Sequence, residues 1–99
     1  MNIMSSDSEN SMSNSLQILL LKNNKVLLTQ LEETGTEIPG EPDVLLVKPY
    51  ELDENGTLTR FLKGVTIQDE MMIHSDSILT IVEPNQYLVK AYNEILQER

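Results

Sequence analysis

The chain has 99 residues, of which 39% are hydrophobic and 4% aromatic, so it is long enough for one domain with a small aliphatic core. Cysteine is absent, which excludes disulfides and thiolate chemistry, and we expect an intracellular protein. The sequence has 16 acidic and 7 basic residues, and its formal net charge of −9 repels nucleic acid unless the basic residues share one face. No stretch approaches a membrane span or a secretory signal, so we expect neither.

Residues 1–15 are rich in serine and asparagine and have little to bury, so we predict a flexible arm. The pattern then changes to two apolar runs, Leu16–Leu21 and Val26–Leu31. Between them stands Asn23-Asn24, and asparagine tolerates the positive φ that tight turns need. These runs predict a hairpin that is buried on both faces, or on one face and against a partner subunit.

Residues 32–42 contain Gly and Pro and predict a loop. Val44–Val47 predicts a third strand, which can run on to Leu52 if Pro49 stands at an edge or a bend. Asn55-Gly56 then predicts a type I′ turn.

The arms of that turn are Tyr50–Leu52 and Leu58–Leu62, followed by an irregular stretch, Lys63–Glu70. Two more strands are predicted, Met71–His74 and Ile78–Val82, joined by a turn at residues 75–77.

The hydrophobic period then changes from two to 3.6, which predicts a closing amphipathic helix. Pro84 is placed for its first turn. One stripe of the helix carries Tyr87, Leu88, Ala91, Tyr92, Ile95 and Leu96. We therefore divide the chain into an arm (1–15), a β domain (16–83) and a helix packed on it (84–99).

Five or six short antiparallel strands fit an SH3-like barrel, an OB-fold or an Sm-like sheet, and periodicity does not choose among them. The run Ile73-His74-Ser75-Asp76-Ser77-Ile78 resembles the second motif of the Sm-like (Lsm) family, Ile-Arg-Gly-Asp-Asn-Val. Leu21–Val26 resembles the first hairpin of that family, and Asp43–Val47 its third strand, with Asp43 in place of Asn. The resemblance is closest to short Sm-like proteins of phages of marine cyanobacteria, which implies the cytoplasm of a host cell.

The resemblance implies a mainly β fold: a strongly bent five-stranded antiparallel sheet, forming a small open barrel, here with a C-terminal amphipathic helix. It also implies a homo-oligomeric ring of five to seven subunits, in which edge strands of neighbours pair. Apolar edges favour such closure, because an uncovered edge promotes aggregation. The predicted interface residues are Met71, Met72, Ile78, Leu79, Thr80, Ile81 and Val82.

Sm-like rings bind single-stranded RNA at the pore, so the resemblance implies binding of RNA or other single-stranded nucleic acid. The positions carried over from the family are Glu41, Asp43, His74, Ser75 and Asp76, and possible basic contacts are Lys48, Arg60 and Lys63. Glu41 offers no ring for base stacking, and an ionised Asp43 only accepts hydrogen bonds. The alternative is an acidic adaptor ring that binds proteins and no nucleic acid.

Each candidate also has a purely structural interpretation. His74 can simply hydrogen-bond its turn, and isolated basic residues on an acidic domain can serve solubility alone. Asp53-Glu54-Asn55-Gly56 is a turn rather than a calcium loop, because the EF-hand pattern needs Gly where Leu58 stands. No Ser is paired with a suitable His and no Gly-rich phosphate loop exists, so we expect neither catalysis nor a cofactor or metal.

Overall fold

The computed structural model describes residues 16–33 and 39–98, and the predicted arm lies outside them. Within these ranges, six strands are followed by one helix. Their bounds are β1 Leu16–Leu21, β2 Val26–Glu33, β3 Val44–Leu52, β4 Leu58–Arg60, β5 Glu70–Ile73, β6 Ile78–Val82 and α1 Gln86–Gln97. A single 3-10 turn, Ser75–Ser77, joins β5 to β6.

All strand pairs are antiparallel, and the strands lie in the order β4-β3-β2-β1-β6, with β5 also pairing with β3. The sheet is not closed: β6 lies at one edge, and β4 and β5 share the other. The predicted mainly β fold, with an antiparallel sheet and one C-terminal helix, is confirmed at this level.

The sheet turns a corner in the middle of β2 and β3. The register of this pair shifts between Leu28 and Gln30, where Lys48 and Pro49 of β3 stand opposite Thr29 of β2 and form a bulge in β3. Thr29 is fully buried, and its hydroxyl oxygen lies 3.1 Å from the Val47 carbonyl oxygen. Lys48 follows with φ 53°, in the left-handed region, and Pro49 comes directly after it. The strand therefore pairs with β5 before the corner and with β4 after it.

The hairpin at Asn55-Gly56 forms, but the predicted type I′ turn is wrong. A type I′ turn needs positive φ at both central residues, and neither Glu54 nor Asn55 has one; only Gly56 does, with φ 86°. The Asp53 carboxylate accepts hydrogen bonds from the N–H groups of Asn55 and Thr57, both at 2.9 Å. These bonds stabilise a turn over residues 53–56 in which the only residue with positive φ, Gly56, is the last of the four.

Two layers of apolar side chains lie on the two faces of the strongly apolar strands β1 and β2, as predicted for the first hairpin. One cluster contains Leu19, Leu21, Leu27, Val44 and Leu46, packed against Phe61, Met71, Ile73 and Ile78 among others. The other contains Leu28, Tyr50, Leu88 and Tyr92, packed against Ile18, Leu52, Leu58, Ile95 and Leu96 among others. The second cluster attaches the helix to the sheet.

The helix begins later than predicted. Asn85 is its N-cap, and the Asn85 side chain accepts a 2.9 Å hydrogen bond from the N–H of Leu88. Pro84 thus precedes the cap instead of occupying the first turn. Tyr87, predicted on the buried stripe, is 71% exposed, whereas Tyr92 is 1% exposed. Among the residues described, no helix is both long and apolar enough to cross a membrane.

Candidate functional site

One end of the sheet brings together three distant parts of the chain: the β1–β2 turn, the start of β3 and the β5–β6 turn. The N–H of Lys22 donates to the Ser77 carbonyl at 2.8 Å, which joins the two turns. The N–H of Asp43 donates to the carbonyl of Ile73 at 3.2 Å. We call the surface between these turns the hairpin cleft.

Asp43 and Ser75, both predicted site residues, are in direct contact. One carboxylate oxygen of Asp43 accepts the Ser75 N–H at 2.8 Å, and the other accepts the Ser75 hydroxyl at 2.9 Å. The backbone hydrogen bond, followed by the hydroxyl one, lowers the pKa of Asp43 below its usual 3.8. The carboxylate therefore stays ionised at neutral pH, and each of its two oxygens accepts one hydrogen bond from Ser75.

His74 stands beside this pair and lines the hairpin cleft. Its side chain is 37% exposed, and its Nδ1 atom lies 3.8 Å from a carboxylate oxygen of Asp76. That separation is too long for a hydrogen bond. Nδ1 is buried and has no hydrogen-bond partner in the part of the chain that the structure describes. An imidazole nitrogen can act as a donor or an acceptor, according to the tautomer.

The cleft itself is open and has a volume of about 520 Å³. Its walls are Leu21, Lys22, Asn23, Ile73, His74, Asp76 and Ser77. The lining combines an apolar floor with one lysine, one histidine and one carboxylate.

Glu41, predicted to stand where the family stacks a base, is exposed two residues before Asp43. It is not among the residues that line the hairpin cleft. Asp76 does line the cleft, but its side chain is 86% exposed and carries negative charge to the rim.

The three predicted basic contacts lie outside the hairpin cleft. Arg60 donates to a carboxylate oxygen of Asp69 at 3.2 Å and to the Gln68 carbonyl at 3.2 Å. The backbone N–H of Lys48 donates to the carbonyl of Asp69, while the Lys48 side chain is exposed. Lys63 is exposed in the segment between β4 and β5. The guanidinium of Arg60 is thus already paired with groups of the same chain.

The predicted interface residues divide into two groups. Met71 and Ile78 are half-buried against the first apolar cluster. The others are exposed at the two sheet edges: Met72 on β5, and Leu79, Thr80, Ile81 and Val82 on β6. Apolar side chains are therefore exposed on the very strands that end the sheet.

Local sequence patterns do not reveal two parts of this surface. Lys22 and Asn23 line the cleft, although the Asn pair indicates only a turn in the sequence. The irregular stretch before β5 exposes Val65 and Ile67, which local patterns do not distinguish from buried residues. Within the described ranges, no group of three or more His, Cys, Asp or Glu side chains is placed to hold a metal ion.

Fold and site together define a mainly β domain with a bent, open antiparallel sheet, one C-terminal helix and a polar cleft at the hairpin end. The chain belongs to the family of unknown function DUF6561, which it matches over residues 14–97. A comparison with curated proteins gives no match.

Proposed function

We propose that this protein is an Sm-like homo-oligomer, which closes into a ring and serves as an acidic scaffold for protein partners. The observation that carries the proposal is the pair of open sheet edges. Antiparallel pairing of β6 of one copy with β5 of the next covers β6 and the β5 part of the opposite edge, and repetition of that contact closes a ring. Antiparallel pairing is also the arrangement of every strand pair within the chain.

Exposed apolar area at both edges supports the same contact. Leu79, Ile81 and Val82 are each about half exposed on β6, and Met72 is exposed on β5. Removing apolar surface from water yields about 25 cal/mol per Å². Self-association therefore covers a surface that promotes aggregation, and it also stabilises the assembled protein.

Light scattering after size exclusion, at tens of micromolar, tests assembly. A ring gives a mass of several times 11.2 kDa, and a monomer at every concentration would refute the proposal. The variant Leu79→Lys/Ile81→Lys places charges on the β6 edge and is expected to be monomeric. Tyr87→Lys, at an exposed site on the helix, is the matched control and is expected to assemble like the wild type.

The scaffold role is favoured by the charges at the predicted nucleic-acid positions. Both carboxylate oxygens of Asp43 accept hydrogen bonds from Ser75, and the Arg60 guanidinium is paired with Asp69. Each copy carries a formal charge of −9, so a ring of copies has a strongly negative field. A partner with a basic surface fits that field better than a polyanion does.

Binding of single-stranded nucleic acid is the second candidate, and the hairpin cleft favours it. The side chain of His74 is 37% exposed and lines the cleft, and Lys22 provides a cation on the same wall. A base edge on the histidine and a phosphate on the lysine would use both groups.

Fluorescence anisotropy with oligo-uridine at low salt separates these two candidates. Binding that weakens with added salt and is lost in Lys22→Ala and His74→Ala supports the nucleic-acid function. Absence of binding by an oligomeric sample at micromolar concentration refutes it and leaves the scaffold. Lys90→Ala, on the exposed helix, is the matched charge control.

A further inference from the structure

The segment between β4 and β5 exposes apolar side chains to an unusual degree. Ile67 is 92% exposed, Val65 76% and Leu62 41%. We call residues 61–67 the apolar loop. A single exposed valine or leucine needs no explanation, but three of them within six residues form a patch that is typical of a contact surface.

Hydrogen bonds hold the apolar loop in a defined shape. The carbonyl of Leu62 accepts from the N–H of Val65 at 2.9 Å and from that of Thr66 at 3.3 Å. Leu62 itself has φ 61°, a left-handed conformation that costs a non-glycine residue free energy. The guanidinium of Arg60 fixes the base of the loop by donating to the Gln68 carbonyl at 3.2 Å. The apolar side chains are thus presented outward by a structured turn.

The position of the loop in the sheet identifies what can cover it. The loop leads into β5, so it lies beyond the first residue of that strand, Glu70. In an antiparallel pair, the start of one strand lies beside the end of the other. If β5 pairs with β6 of a second copy, the loop comes next to the end of that β6, at Val82 and Glu83.

The chemistry of these two segments is complementary. Val82 and Ile81 each expose about half of their surface, which matches the exposed Val65 and Ile67. Lys63 and Glu83 are exposed, and neither side chain has a hydrogen bond or ion pair within residues 16–33 and 39–98. An antiparallel contact places the loop that carries the lysine of one copy on the side of the neighbour where the glutamate follows β6.

We infer that the apolar loop is a clasp for a second copy of this chain: Val65 and Ile67 pack on Ile81 and Val82 of the neighbour, and Lys63 pairs with its Glu83. The inference rests on the proposed ring and assigns a contact beyond the strand pairing itself. It explains why a structured loop interrupts the strand that would otherwise continue from β4 to β5.

Sedimentation velocity over a concentration series tests the clasp. The variant Val65→Ser/Ile67→Ser is expected to raise the concentration at which half of the chain is assembled by about tenfold or more, because it removes buried apolar surface from each contact. Tyr87→Ser, which removes an equally exposed apolar side chain on the helix, is expected to leave that concentration unchanged. Circular dichroism confirms that both variants are folded.

A charge exchange provides an independent test. Lys63→Glu alone and Glu83→Lys alone are each expected to weaken assembly, and the double variant to restore it towards the wild-type value. If the wild type assembles and all these variants assemble at the same concentration, the clasp is refuted while the ring stands. If the wild type is a monomer, the ring fails, and the clasp fails with it.

Discussion

Removal of one hydroxyl group, in Tyr92→Phe, tests how the helix is joined to the bend in the sheet. The Tyr92 hydroxyl donates to the Lys48 carbonyl at 2.8 Å and accepts from the Gln30 amide at 3.4 Å. The ring packs edge-on against Tyr50, with ring centres 5.7 Å apart, and is 1% exposed. Phenylalanine keeps the ring and leaves the Lys48 carbonyl without this donor.

We expect the free energy of unfolding to fall by about 1–2 kcal/mol, since a partly buried acceptor loses its partner. Tyr92→Ala, which also removes the ring, is expected to lose about 3–5 kcal/mol. For a domain of this size, each kcal/mol lowers the melting temperature by about 4–8 °C. The assay is urea unfolding followed by circular dichroism at one fixed protein concentration, because self-association alters apparent stability.

Tyr87→Phe is the matched control, because that side chain is 71% exposed, and we expect a change within about 0.5 kcal/mol. If Tyr92→Phe also stays within that limit, the hydroxyl does not anchor the helix and the reasoning is refuted.

Three further predictions concern the site, the bend and the helix cap. Since the pKa of Asp43 is lowered in the folded state, its contribution to stability is present above pH 3.8 and is lost as the pH falls through the lowered value. Thermal melts of wild type and Ser75→Ala against pH should therefore converge in acid, and a constant difference would contradict this. Lys48→Gly removes the cost of φ 53° and is expected to stabilise by up to about 1 kcal/mol, while Lys48→Ala, which keeps the Cβ, should give no such gain. Asn85→Ala removes the side chain that accepts the hydrogen bond from the Leu88 N–H, and we expect it to lower the free energy of unfolding in urea by about 1 kcal/mol. Asn93→Ala, on the exposed helix surface, is the control for loss of an asparagine side chain. Equal effects of the two variants would argue against the cap.

The bend at Lys48 links these predictions to the proposed ring. It directs the first half of β3 to β5 and the second half to β4, so both segments lie at one edge of the sheet. A variant that straightens this bend moves the β5 edge and the apolar loop relative to β6. Stability at the bend and assembly at the edges are therefore expected to change together.

Local patterns in the sequence are enough to predict the strands, the positions of their turns and the closing helix. The first hairpin and the last hairpin lie where their apolar runs predict, because alternation and turn residues act through neighbouring positions along the chain. Errors are confined to local details. The Asn55-Gly56 turn has a different type because Asp53 supplies hydrogen bonds, and the helix starts after Pro84 because Asn85 caps it.

How those elements meet depends on contacts between distant parts of the chain, which local patterns do not predict. Asp43 and Ser75 are 32 positions apart, and their contact depends on the pairing of β3 with β5. The left-handed Lys48 is equally invisible in the sequence, since lysine has no preference for positive φ. The exposure of Ile67 and Tyr87 also depends on the tertiary structure, because an apolar side chain is buried only where another element covers it. Local residue patterns determine the elements, and long-range contacts determine which of their surfaces remain open to a partner.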